Sequence, residues 1–119
     1  MKTNSLITTQ VEQFLSEFKN LARINGVRFW QRPENMSMMN MLDLTESVVT
    51  NDVLLQLTAQ DYYDGPTHKK DHSDAWTFAQ NIEGQNVYIK LTITEKKKRK
   101  RAECISFHEP TLPLSSLHR

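Results

Sequence analysis

One cysteine, three glycines and four prolines in 119 residues leave the chain few special covalent or backbone devices. A single thiol, Cys104, excludes an intramolecular disulfide framework and any cysteine-rich zinc site. Little Gly and Pro, beside 24% charged and 38% apolar residues, exclude a collagenous or low-complexity chain and point to a globular one with a small core. No apolar run reaches the roughly 18 residues of a membrane span. Met1-Lys2-Thr3-Asn4-Ser5 opens on polar residues rather than the apolar stretch of a secretory leader. The expectation is one domain over residues 1–119, with tails at about 1–8 and 112–119, in a soluble cytoplasmic protein. Net charge is only +1, so attraction to a polyanion has to come from local clustering.

The N-terminal half reads as helix. Val11, Phe14, Leu15, Phe18, Leu21 and Ala22 recur at helical spacing between Thr9 and Asn25, and Gly26 supplies a stop. Thr9 and Glu12 have the spacing of a capping box. Val27 to Gln31 reads as a short strand before Pro33, and Met36, Met38, Met39 and Met41 as core filler or a loose turn. A second helix is expected from Thr50 or Asn51 as cap, with Val53, Leu54 and Leu57 inward. Asp61 to Pro66 breaks regular structure, and Thr67 to Asp74 is expected to be a polar surface loop.

The last third reads as sheet: Trp76 to Ile82, a turn at Glu83-Gly84, Asn86 to Thr94, and Cys104 to His108, ended by Pro110 and Pro113. Helices followed by strands predict an α+β fold, a small antiparallel sheet with N-terminal helices packed on one face. Alternation puts Val87, Ile89, Leu91 and Ile93 on the covered face and Tyr88, Lys90 and Thr92 on the other. It also groups Cys104, Ser106 and His108 against Ile105 and Phe107. A phenol, an ammonium and an imidazole, those of Tyr88, Lys90 and His108, are thereby predicted to share the uncovered face.

That trio has the chemistry of metal-free RNA cleavage by the 2′-hydroxyl, which needs a base, an acid and a cation for the charge developing on phosphorus. An exposed sheet face that merely carries polar residues is the alternative. The six-residue run Lys96, Lys97, Lys98, Arg99, Lys100, Arg101 reads as a phosphate-binding hairpin loop, as a nuclear localisation signal in a eukaryotic host, or as a solvated turn protecting a sheet edge. His68 and His72 have the spacing of helical metal ligands, and Asp61, Asp64, Asp71 and Asp74 could bind Mg²⁺. The two histidines follow Gly65-Pro66, which argues against a helix there, aspartates are ordinary near turns, and no metal or cofactor is assigned. Cys104 and His108, four residues apart on a strand, are too distant to form a nucleophilic pair.

The segments Asp61-Tyr62-Tyr63-Asp64-Gly65-Pro66, Trp76-Thr77-Phe78, Ile82-Glu83-Gly84, Val87-Tyr88-Ile89-Lys90-Leu91 and Cys104-Ile105-Ser106-Phe107-His108 occur in a suggestive order. Together they resemble the MqsR-type toxins of bacterial toxin–antitoxin systems, relatives of the RelE group. The resemblance implies helices against a curved antiparallel sheet. It also implies a metal-independent endoribonuclease acting on mRNA, neutralised by a cognate antitoxin. Tyr88 and Lys90 match the tyrosine and lysine of the family's VY.K strand. His108 stands where the best-characterised branch has a lysine, Asp64 where it has another lysine, and Thr77 where it has a glutamine. The expected catalytic set is His108 as acid or base, Lys90 on the phosphate and Tyr88 to orient it, with Lys96 to Arg101 holding the RNA backbone. Two other functions compatible with the residues are a non-catalytic nucleic-acid- or partner-binding module using the basic loop, and a metal-dependent phosphoesterase. Oligomeric state is left open.

Overall fold

The computed structural model describes residues 5–69 and 72–110, the side chains of Lys69 and His72 excepted. Lys70, Asp71, Pro113, His118 and the expected C-terminal tail lie outside the described residues.

The first helix, α1 (Ser5–Asn25), buries Val11, Leu15, Phe18 and Ala22. It ends where Gly26, at φ +76°, donates its N–H to the Ala22 carbonyl at 2.7 Å. It starts a full turn before Thr9, which is therefore no cap: the Thr9 hydroxyl donates back to the Ser5 carbonyl at 2.9 Å. Burying a side chain such as Phe18 contributes about 1.5–3 kcal/mol, against about 1 for a cap, so the apolar stripe decides where this helix lies.

The short strand β1 (Val27–Phe29) and the helix α2 (Pro33–Met41) follow. Pro33 opens α2, where its missing N–H costs nothing, and holds Arg32 before it in extended conformation (φ −92°, ψ 141°). Met38 and Met39 join the core as expected, whereas Met41 is 55% exposed. The second helical region also begins earlier than the sequence suggests. Its cap is Thr45, whose side chain accepts from the Val48 N–H, ahead of α3 (Glu46–Val48). The chain continues through a π turn (Val49–Val53) and a 3₁₀ turn (Leu54–Gln56). Thr50 is interior and donates to the Glu46 carbonyl at 2.9 Å.

Among the described residues, five strands form one sheet in the order β1-β5-β4-β3-β2, with β2 (Tyr62–Lys69), β3 (His72–Ile82), β4 (Gln85–Lys96) and β5 (Arg99–His108). All neighbours are antiparallel except β1, which runs parallel to β5. The α+β expectation holds, with α1 against one sheet face through Phe14, whose ring lies 5.8 Å from that of Trp76. Within the expected loop from Thr67 to Asp74, the described residues are strand: Thr67 to Lys69 end β2, and His72 to Asp74 begin β3. Its turn-forming residues are tolerated because β2 is an edge strand whose pairing is repeatedly shifted by irregularities. Gly65 is required there: at φ +117°, a Cβ would also lie 2.9 Å from the Ala75 carbonyl oxygen.

One irregularity positions the site. Lys90 pairs with Ser106 but Leu91 pairs with Cys104, so Ile105 is an extra residue in β5. The bulge resets the alternation. Cys104 is fully buried in the helix-covered core with Leu91, on the face opposite Ser106 and His108, correcting the grouping read from strict alternation. Asn35, fully buried on α2, spans the bulge: its Nδ2 donates to the carbonyls of Ile105 (2.9 Å) and Trp30 (3.0 Å), and its Oδ1 accepts from the Phe107 N–H at 2.9 Å. Where β1 has ended, this one amide serves the edge of β5 as a further strand would.

Candidate active site

The uncovered face of the sheet has a floor of small side chains. Ala75, Thr77, Thr92 and Ser106 are all buried there. Pairing sets Thr77 opposite Lys90 and Lys90 opposite Ser106, and sets Tyr88 opposite His108 one step on. Tyr88, Lys90 and His108 therefore occupy one patch, with Tyr88 and Lys90 about 7 Å apart along their strand. The Tyr88 and His108 rings stack, centroids 5.6 Å apart and planes at 24°.

His108 is held from a second direction as well. Its Nδ1 lies 2.7 Å from the Glu109 carbonyl oxygen. A carbonyl can only accept, so Nδ1 carries the hydrogen and the neutral ring offers Nε2 as its acceptor. The imidazole thus has a defined tautomer and a ring plane fixed by Tyr88, which are the requirements for a positioned base.

Two arginines join the patch that the sequence did not single out. Arg32 Nη1 reaches the Ser106 hydroxyl at 3.2 Å, and its Nη2 stands 3.7 Å from Glu34. Arg28 pairs in register with Glu103 on the same face. The available signal was Pro33, which restricts Arg32 to an extended backbone, but nothing local says that β1 lies beside β5 rather than elsewhere. Glu103, 8% exposed, accepts from the Trp30 indole and the Thr94 hydroxyl, both at 2.7 Å. The Thr77 hydroxyl, in a residue 1% exposed, has no hydrogen-bond partner among the described residues. An orphaned buried hydroxyl costs about 1–3 kcal/mol. It lies in the middle of the polar patch, between Asp64 and Lys90 in the pairing.

The basic run is a tight hairpin, as its place between two strands suggests. Lys96 pairs with Arg99, Glu95 with Lys100 and Thr94 with Arg101. Lys96, Arg99 and Arg101 accordingly share the uncovered face with Thr94, next to Arg28, around a cavity of about 830 Å³. A second cavity of about 640 Å³ continues past Trp30 to Arg32. Lys100 turns to the other face, where its ammonium meets Glu17 of α1 at 2.8 Å. The hydrogen bond that Lys100 donates to Glu17 holds its pKa above the ordinary lysine value. Lys97 and Lys98 form the turn itself at φ +52° and +65°, a left-handed pair for which Asn-Gly is the relaxed choice.

The other candidates are dispersed. His68 Nδ1 pairs with Asp74 across the β2–β3 hairpin, so the helical spacing considered for His68 and His72 does not arise. Asp61 caps its own turn through the Thr58 N–H and accepts from Gln80. No group of three or more His, Cys, Asp or Glu side chains gathers among the described residues. Burial pushes the Cys104 thiol far above the ordinary value, which removes it as a nucleophile.

The family model described as motility quorum-sensing regulator, toxin of MqsA, matches residues 11–109, from the buried stripe of α1 to the end of β5. The chain belongs to this family. No curated protein matches it, and neither does any solved structure. As a member of the family the protein is a toxin of a toxin–antitoxin pair, and its partner is an antitoxin of the MqsA kind. Among the described residues no helix is long and apolar enough to cross a membrane.

Proposed function

We propose that this toxin is a metal-independent endoribonuclease of the cytoplasm that cuts mRNA by attack of the 2′-hydroxyl on the adjacent phosphate. The observation that carries the reading is the His108–Tyr88 pair: an imidazole whose tautomer and plane are both fixed, on a face that also carries Lys90. His108 Nε2 takes the 2′-hydroxyl proton. The 2′-oxygen bonds to phosphorus as the P–O5′ bond breaks, and the departing 5′-oxygen collects a proton from solvent. The products are a 2′,3′-cyclic phosphate and a 5′-hydroxyl. Lys90 and Arg32 compensate the charge that builds on the phosphoryl oxygens, and the Tyr88 hydroxyl orients the phosphate.

The RNA backbone runs along the two basic cavities, held by Arg28, Lys96, Arg99 and Arg101, with Lys97 and Lys98 at the rim. The strained turn supports this: two lysines occupy left-handed backbone that folding alone would give to Asn-Gly. Lys100 is the one member of the run engaged with α1 instead. The test is cleavage of RNA by the wild type and by Lys90→Gln. Removing one stabiliser of developing charge lowers the rate about 10²–10³-fold, and an unchanged rate would remove Lys90 from the site.

A further inference from the structure

Both basic grooves described above carry lysine and arginine, which outnumber the carboxylates Glu95 and Glu103 in their walls. One neighbouring cavity differs. Where β5 ends against α2, a recess of about 420 Å³ is lined by Glu34, Ser37, Met38, Met41, His108 and Glu109. Its lining holds two carboxylates, two methionines and no lysine or arginine. It shares His108 with the patch carrying Tyr88 and Lys90, so it opens directly beside the position of the scissile phosphate. Its size falls within the range of small-molecule pockets. Met41 is 55% exposed at the end of a short helix that buries Met38 and Met39 and leaves Met36 part-exposed.

We infer that this recess seats the nucleobase adjacent to the scissile phosphate and selects a base bearing an exocyclic amino group. The inference rests on the ribonuclease reading for which phosphate is cut, but the pocket's chemistry is its own. A phosphate is repelled by Glu34 and Glu109, so the strand has to turn a base inward here and keep its backbone on the Arg32–Lys90 side. Thioether side chains pack adaptably against a flat ring. Carboxylates accept hydrogen bonds and cannot donate them, so they match an amino N–H and not a carbonyl. Uracil presents two carbonyls around its single N–H and fits worst. Arg32, bonded to the Ser106 hydroxyl on one side and close to Glu34 on the other, stands at the junction between the phosphate position and the base recess.

The test uses oligonucleotides in two forms, with each of the four bases in turn at the positions flanking the cut. All-ribose strands report cleavage. Strands with 2′-O-methyl at the scissile nucleotide lack the nucleophile and report binding alone, by fluorescence anisotropy. For the wild type, uracil at one flanking position lowers both binding and cleavage at least tenfold relative to adenine, cytosine and guanine. The double variant Glu34→Gln, Glu109→Gln, whose amides can also donate, brings that ratio to within about twofold of unity. Met41→Ser, at an exposed position, weakens all four bases alike. An undiminished ratio in the double variant, or equal binding of all four bases by the wild type, overturns the inference. Discrimination in binding without cleavage of any strand overturns the ribonuclease reading and leaves the pocket standing.

Discussion

His108 shows how little and how much a residue's sequence position says. Its face was legible, because β4 alternates strictly and β5 ends in register with it; its tautomer was not, because that depends on the Glu109 carbonyl turning back 2.7 Å from Nδ1. If Nε2 is the base, His108→Ala lowers single-turnover cleavage about 10²–10⁴-fold, far more than it weakens RNA binding. Equal loss of affinity would make His108 a binding residue instead. Thr9 and Thr50 failed as predicted caps for a common reason. A threonine inside a helix can return its hydroxyl to the carbonyl four residues back, and both do so at 2.9 Å. Asn35, which no periodicity flags, carries three hydrogen bonds to the backbone, two of them buried. Asn35→Ala orphans the Phe107 N–H and leaves the Ile105 carbonyl only the 3.5 Å contact from Arg32 Nη1, so it destabilises the fold by about 1–3 kcal/mol in chemical denaturation. A loss below about 1 kcal/mol would mean that the bulge closes without it.

At the scale of elements, the sheet was readable where side chains alternate and unreadable where they do not. Trp76 and Phe78 went to the core as their spacing demands. The bulge at Ile105 then moved Cys104 to the opposite face, since one inserted residue shifts the parity of everything before it. The β2–β3 pairing was missed because its edge strand contains Asp64-Gly65-Pro66, which ordinarily marks a turn, and its register shifts erase strict alternation. The Lys97-Lys98 turn makes a prediction that separates folding from function. Lys97→Asn with Lys98→Gly relaxes two left-handed lysines and stabilises the protein by about 1–2 kcal/mol. The same change removes two cations, so the salt dependence of single-stranded RNA binding becomes shallower by roughly 1.4 in logarithmic slope. Stabilisation with an unchanged slope would confine these lysines to keeping the turn solvated.

For the whole molecule, the α+β architecture follows from the order of patterns along the chain, and the site follows from its topology. The sheet order brings β1 beside β5, which delivers Arg28 and Arg32 to the face of Lys90 and His108. Membership in the family of MqsA-partnered toxins accounts for a small chain with a charged working surface and a dedicated inhibitor. It predicts that expression without the antitoxin arrests growth and that His108→Ala relieves the arrest. An alanine variant that remains fully toxic would remove His108 from the chemistry. The most direct measurement is incubation of the purified toxin with a long RNA in excess EDTA, beside the His108→Ala variant. The account predicts discrete fragments ending in 2′,3′-cyclic phosphate, formed by the wild type, unaffected by the chelator and lost in the variant. Intact RNA under these conditions, or cleavage that EDTA abolishes and His108→Ala spares, would contradict it.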